Sequence, residues 1–228
     1  MRYTFLFAFL CLTVPLFAQN ILMEKETEKL YEVSETGPNR KHFLHLYTGV
    51  NFYSGSSSDI EPFYSGDFLV GLRYKRKISP LLATGTSLYW RNATYQYKED
   101  PEIIDEGTFL DKEKLIFNSF GSEIYIRINF DPDRGNYMGN FIDIGAYGEW
   151  IFSDAYKTYK EGGFTLFNKQ KTVYRGLKNT HDFGYGALLR MARNRYVFFI
   201  HYRLSDYFNT DLDEPERIAI GLQIGLHK

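Results

Sequence analysis

The residues in this sequence that are able to perform chemistry are few and scattered. The five histidines are His42, His45, His181, His201 and His227, and no nucleophile elbow, zinc-hydrolase, phosphate-loop or nucleotide-binding motif is present. A lipid-modifying enzyme would need a His, a Ser and a carboxylate that meet at a lipid-exposed rim. The strand pattern described below points His45 and His201 inward instead, which favours hydrogen-bonded interior histidines. We therefore predict no catalytic residues, no metal site and no cofactor.

Two further segments carry side chains of the kinds that bind ligands. The stretch NTDLDEPER contains Asp211, Asp213, Glu214 and Glu216. A calcium site needs six or more oxygens in a geometry that this spacing does not encode, so we predict a solvated acidic loop. The segment 153–181 contains five aromatic residues, a type that is enriched at interfaces. It is predicted either to contact an external partner or to pack on its own domain.

Along much of the chain, apolar residues alternate with small, polar or charged ones, a pattern that indicates β-strands with one apolar face. In the last segment, Ile218, Ile220 and Leu222 alternate with small or polar residues. The same alternation predicts eight strands, within residues 42–53, 67–75, 82–91, 120–130, 141–152, 182–191, 196–204 and 216–228. The composition of 19 Tyr and 20 Phe against two Trp also favours β structure over helix.

The connections between these strands are alternately short and long. Short turns are predicted around Ser79-Pro80, at DPDRGNYMG and at ARNR. Longer loops are predicted at about residues 54–66, 92–114, 153–181 and 205–216. Outer-membrane barrels have short periplasmic turns and longer external loops. The sequence therefore predicts an all-β protein, an eight-stranded antiparallel up-and-down transmembrane β-barrel with meander topology.

Glycine distinguishes this barrel from a soluble ligand-binding barrel, which shows the same alternation. The interior of an eight-stranded barrel is just wide enough for side chains, so its inward face mixes small and large residues. Nine strand glycines fall on the charged face, which is therefore predicted to face the lumen, and Gly148 is the exception. The apolar face is then predicted to contact lipid. Aromatic residues at the strand ends are predicted to form a girdle: Phe52, Tyr74, Trp90, Phe130, Trp150, Phe152 and Tyr196.

The same register gathers charged side chains inside the barrel. The predicted luminal ionic network consists of Arg73, Arg91, Glu123, Arg127, Asp143, Glu149, Arg190 and Arg203. Lys75 and Asp182 are predicted to face the same lumen. Because unpaired charges are costly there, Arg127 is expected to pair with Asp143 across the short turn, with Arg190 near the same carboxylate. A second cluster nearer the external end is expected to contain Glu123, Glu149, Arg91 and Arg203.

The segment MRYTFLFAFLCLTVPLFAQN has the layout of an export signal. Arg2 precedes an apolar run that is shorter than the ~20 residues of a spanning helix, and Ala18 precedes Gln19. We predict a signal peptide over residues 1–18, a periplasmic leader over 19–41 and a barrel domain over 42–228. Cys11, the only cysteine, is removed with the signal, which excludes disulfides. The net charge of −1 gives no indication of nucleic-acid binding.

Four segments resemble a known family of outer-membrane proteins. They are LFAQ at the end of the signal, LHLYTGVNFYSG, FIDIGAYGEW and DFGYGALLRM, and they resemble the PorT-like outer-membrane β-barrel family. The resemblance covers residues 43–228 and consists of alternating glycine and aromatic residues. It implies an eight-stranded barrel without catalytic residues. Some members of this family take part in a bacterial protein-secretion and gliding machinery.

These patterns predict a non-enzymatic integral protein of the outer membrane of a Gram-negative cell. Its expected partners are outer-membrane lipid and, through external loops or periplasmic turns, other secretion-machinery or envelope proteins, but not nucleic acid. It is expected to act either as a PorT-like component of the secretion machinery or as a surface-loop binding or structural protein. The alternatives are a lipid-modifying outer-membrane enzyme of the deacylase or acyltransferase type and, less favoured, a soluble ligand-binding barrel.

Overall fold

The computed structural model describes residues 37–53, 61, 64–97, 103–105, 108–162, 169–177, 179–209 and 214–227. The predicted signal peptide, and the predicted leader as far as residue 36, lie outside the described residues. The leader's last part includes a single 3-10 turn, Gly37–Asn39. In the described part of the chain no helix has the length and apolarity needed to cross a membrane.

The described residues form ten β-strands, all paired in antiparallel fashion. They are β1 (His42–Tyr53), β2 (Gly66–Lys77), β3 (Leu82–Gln96), β4 (Ile103–Asp105), β5 (Thr108–Asn129), β6 (Asn140–Gly162), β7 (Lys169–Arg175), β8 (Phe183–Arg193), β9 (Tyr196–Arg203) and β10 (Ile218–Leu226). Eight of them pair in the order β1-β2-β3-β5-β6-β8-β9-β10, and β10 pairs with β1. The predicted eight-stranded antiparallel up-and-down barrel is therefore confirmed.

The two ends of the barrel differ in their connections. The lower end carries the start of β1, the end of β10 and the short turns after β2, β5 and β8. The upper end carries the long connections. Strand burial alternates along the whole wall, as in β10, where exposed and buried residues follow each other without a break. Since successive side chains point to opposite faces of a strand, one face of each strand fills the interior and the other lies outside.

Two of the predicted loops contain strands. β5 begins at Thr108 and β6 ends at Gly162, so this hairpin continues above the barrel, with β4 paired to β5 and β7 paired to β6. The expectation of irregular loops at 92–114 and 153–181 is therefore wrong in these parts. The upper segments of β5 and β6 lack the long run of exposed apolar residues that marks the strands lower in the wall, and cross-strand pairing forms them. We call β4, β7 and the upper parts of β5 (108–118) and β6 (153–162) the extension.

Aromatic rings on the inward face lie against glycines on the neighbouring strand. Tyr89 pairs directly with Gly121, and Tyr47 pairs directly with Gly71. A Cβ atom at Gly121 would lie 2.1 Å from the Tyr89 ring, and one at Gly71 would lie 2.9 Å from the Tyr47 ring. Real side chains do not approach so closely, so glycine is required for these rings to lie against the wall. Aromatic rings that pack against glycines of the neighbouring strand thus help to fill the interior of the barrel.

Candidate functional site: the lumen

Five charged side chains form a continuous network in the lower half of the lumen. Arg127 on β5 donates to both carboxylate oxygens of Asp143 on β6, at 2.7 and 2.9 Å. Arg190 on β8 donates to Asp143 at 3.2 Å and also to Glu123. Arg73 on β2 lies 4.0 Å from Glu123 and donates to Gln223 at 2.6 Å. The lower network therefore joins three guanidinium groups to two carboxylates.

A second network lies above the first and is built around one arginine. Arg91 on β3 donates from Nε to Asp67 at 2.7 Å and from Nη1 to both oxygens of Glu149 at 2.9 Å. Tyr53 accepts a hydrogen bond from Arg91 at 2.9 Å and donates one to Asp67 at 3.1 Å. Ser119 donates to Glu149 at 3.0 Å. This upper network has one cation and two carboxylates.

The net charges of the lower and upper networks cancel. The four cations Arg73, Arg91, Arg127 and Arg190 face the four carboxylates Asp67, Glu123, Asp143 and Glu149, and all eight residues are buried. A charge in a dry interior is tolerated only when it is paired and hydrogen-bonded. The balance indicates that these eight groups fill and organise the interior, because no net charge remains within the two networks.

The structure places all eight residues of the predicted ionic network in the interior of the barrel, but it changes the grouping of two of them. Glu123 belongs to the lower network, through Arg190 and Arg73. Arg203 does not join Glu149; it donates to Glu214 of the connection before β10 at 2.8 Å. The expected upper cluster of four residues is therefore wrong in these two members. Register between non-adjacent strands decides such contacts, and a single strand does not encode it.

The position of Asp182 also differs from the prediction. This residue precedes β8 and is exposed, so it does not contribute to the lumen. Lys75 is buried as expected and donates to the backbone oxygen of Pro38 at 2.6 Å. The sequence reasoning missed Asp67 as a partner of Arg91, although strand alternation already placed Asp67 on the inward face. It also missed Glu214, and nothing in the local sequence identifies that partner.

Both ends of the lumen are closed by apolar side chains. At the upper end, Tyr207 from the connection after β9 stacks on Phe117 with ring centroids 4.8 Å apart, within a cluster that includes Tyr95. At the lower end, Met138 from the turn after β5 packs with Phe141 and Val197. An eight-stranded barrel leaves little free interior even before such residues are added. The lumen is therefore filled by two apolar layers with the ionic networks between them.

The histidines do not form a rim site. His201 is buried, stacks on Tyr147 at 4.8 Å and has its Nε2 atom 3.6 Å from Glu123. His45 is buried against His227, with ring centroids 4.9 Å apart. His42, at the lower end, is exposed and shares a 2.6 Å hydrogen bond with the hydroxyl of Tyr74. None of these four histidines meets a serine and a carboxylate on the outer face within the described residues.

The acidic loop differs from the expected solvated segment where it is described. Glu214 accepts hydrogen bonds from the backbone amides of Tyr207 and Phe208 as well as from Arg203. Asp211 and Asp213 lie outside the described residues. Among the residues with described positions, no group of three or more His, Cys, Asp or Glu side chains is arranged to hold a metal ion. Glu214 therefore anchors this connection over the upper end of the barrel.

The predicted girdle residues all lie on the outer face, in two rows. Phe52, Trp90, Trp150 and Phe152 lie toward the upper end, where Trp150 pairs with Phe120. Tyr74, Phe130 and Tyr196 lie toward the lower end. Trp90 and Tyr74 are partly exposed and the other five are exposed.

No protein-family model and no curated protein matches this chain.

Proposed function

We propose that this protein is an integral outer-membrane β-barrel without enzymatic activity. The observation that carries the proposal is the composition of the outer wall. Within the described strands, the outward positions between the two aromatic rows hold no charged residue, while the inward positions hold eight residues of the two ionic networks. Large apolar side chains occupy this band and are exposed, including Leu46, Val70, Leu88, Ile124, Ile144 and Leu222.

A surface of this kind is favourable in lipid and unfavourable in water. Soluble monomers rarely expose a contiguous apolar patch larger than a few hundred Å², and this band encircles the barrel. The closed ladder leaves no unpaired edge in the wall, as the hydrocarbon core demands. Aromatic rows at both edges of the band match the interfacial girdles of membrane barrels. The predicted export signal is consistent with such a location.

The filled lumen argues for a role at the ends of the barrel and against transport through it. We propose that the protein acts as a PorT-like component of a protein-secretion machinery, or as a binding or structural protein that acts through its upper extension. The family resemblance supports the first role. The strand-built extension supports the second, because it presents a defined surface beyond the membrane band.

The membrane proposal is tested by refolding the unfolded mature chain with and without phosphatidylcholine vesicles. We expect a protease-resistant form that migrates differently before and after boiling, and we expect it only when vesicles are present. Cell fractionation should recover the protein with the outer membrane. A monomeric, soluble, folded protein in lipid-free buffer, or recovery in the soluble periplasm, would exclude membrane insertion.

The role is tested by deleting the gene and comparing two readouts. If the protein serves secretion, exported substrates should accumulate inside the deletion strain while lipid A acylation stays unchanged. Unchanged secretion with unchanged lipid A would favour the binding or structural role. A lipid A acylation pattern that changes on deletion, and is restored by the wild-type gene, would instead indicate a lipid-modifying enzyme.

A further inference from the structure

The extension presents a basic face that continues the outer wall of the barrel. In β5, Phe120 and Ile116 point outward with Lys114, while Leu115 and Phe117 are buried inside. The strand register shows which residues of β6 and β7 lie on the same face. Lys157 pairs with Lys114, Tyr159 lies two residues further along β6, and Val173, Lys171 and Arg175 occupy the same face of β7.

Among the side chains that the structure describes on this face, cations lie opposite one another. Lys114 and Lys157 are directly opposite each other across the β5–β6 pair. Like charges at such a position destabilise a sheet. In the part of the chain that the structure describes, Lys114, Lys157, Lys171 and Arg175 form no ion pair with a carboxylate. The Lys171 ammonium lies 5.7 Å from the centre of the Tyr159 ring, which leaves its charge available.

This face lies above the apolar band, outside the hydrocarbon layer. Lys114 lies six residues above Phe120, which belongs to the upper aromatic row beside Trp150. At ~3.3 Å per residue and a tilt of roughly 40°, this separation is about 15 Å along the membrane normal. Lysine and arginine stems are long enough to lower their charged ends toward the interface. The backbone of this face therefore lies beyond the hydrocarbon, and the long side chains are directed outward, where they extend back toward the headgroups of the surrounding lipid.

We propose that this face binds the phosphate groups of glycolipid headgroups in the external leaflet. The inference rests on the proposed membrane location. Charge complementarity identifies the ligand, because four cations gathered on one face attract anions and phosphates are the anions of a headgroup layer. The outward direction favours lipid over a protein partner, because the face continues the wall that is turned toward the bilayer. Val173 and Tyr159 add apolar and aromatic surface for the sugar of such a headgroup.

The test uses the full mature protein in nanodiscs that contain either lipid A with its phosphates or the same lipid A after dephosphorylation. The triple substitution Lys114→Ala, Lys157→Ala and Lys171→Ala removes three cations from the face. The matched control removes three exposed cations at the lower end, through Arg76→Ala, Arg193→Ala and Arg195→Ala. We expect the wild type and the control to bind phosphorylated lipid A at least about tenfold more tightly than the triple variant. This difference should shrink as salt is raised.

Stability in neutral lipid separates loss of binding from loss of folding. In phosphatidylcholine alone the triple variant should be at least as heat-resistant as the wild type, because the Lys114–Lys157 repulsion has been removed. In nanodiscs that contain phosphorylated lipid A, the wild type should be more heat-resistant than the triple variant. Equal binding by the triple variant and the wild type, or equal binding of phosphorylated and dephosphorylated lipid A, would overturn the inference. If the wild-type protein inserts correctly and one of these two results is obtained, the headgroup inference fails but the membrane proposal stands. If the wild-type protein fails to insert into any bilayer, the membrane proposal itself is contradicted.

Discussion

Arg127 and Asp143 lie directly opposite each other on β5 and β6 and form a two-pronged ion pair, with both side chains fully buried. The Arg127 guanidinium also lies 3.4 Å from the centre of the Phe141 ring. Asp143 accepts from Arg190 as well, so a single carboxylate compensates two cations. This relationship makes Asp143 the residue on which the lower network most depends.

Asp143→Ala should destabilise the folded barrel by about 3–5 kcal/mol, because Arg127 would lose its buried counter-charge and Arg190 would keep only Glu123. The measurement is the free energy of unfolding in urea with the protein in lipid vesicles. Asp182→Ala is the matched control, since Asp182 is exposed. It should change stability by less than about 0.5 kcal/mol. An Asp143→Ala protein as stable as the control would mean that water enters the lumen.

Gly121→Ala should cost about 1–3 kcal/mol through overpacking against the Tyr89 ring. Gly148→Ala is the control, because a Cβ atom at Gly148 would have no neighbour closer than 3.9 Å. It should be close to neutral, within about 0.5 kcal/mol. The comparison of the two unfolding curves checks the packing of rings on glycine. Equal effects of the two alanine substitutions would contradict that arrangement.

Ile124→Arg should destabilise the membrane-inserted protein by roughly 2–4 kcal/mol, because Ile124 is exposed near the middle of the apolar band. Ile78→Arg, in the turn after β2, introduces the same residue at an exposed position outside that band and should cost roughly 0–1 kcal/mol. The measurement is the unfolding free energy in vesicles. Similar costs at both positions would indicate that the outer wall faces water.

The purified protein should show no steady conductance in a planar lipid bilayer. The ionic networks and the apolar layers that contain Tyr207 and Met138 fill the interior from the upper to the lower end. A porin added to the same bilayer provides the positive control. A stable open channel in the wild-type protein would contradict the filled lumen.

The fold could be predicted from the sequence because its main signal is local. A strand turns each successive side chain to the opposite face, so Ile218, Ile220 and Leu222 define one face without knowledge of any neighbour. The requirement for small residues inside a narrow barrel then assigns the glycine-bearing face to the lumen. Both inferences use only the residue pattern of the individual strands, without knowledge of their contacts, and both agree with the burial of β10 and of the luminal arginines.

Other features depend on contacts between segments that are distant in the chain. The assignment of Glu123 to Arg190 and Arg73 depends on how β2, β5 and β8 are staggered around the barrel. The pairing of Arg203 with Glu214 depends on the path of a connection that local patterns do not define. The sequence predicts loops for the extension because most of it lacks strict apolar alternation, whereas cross-strand hydrogen bonding between β5, β6 and β7 makes it strands.

The sequence by itself determined that this protein is an eight-stranded barrel with a charged, glycine-rich interior and an apolar exterior, because a period of two residues is a property of each strand alone. Only the tertiary structure decided which luminal charges pair, how the upper end is closed, and that Lys114 and Lys157 face each other on the outer side of the extension. The physical reason is register, since a shift of one strand against its neighbour changes every cross-strand contact while leaving the sequence pattern of each strand unchanged.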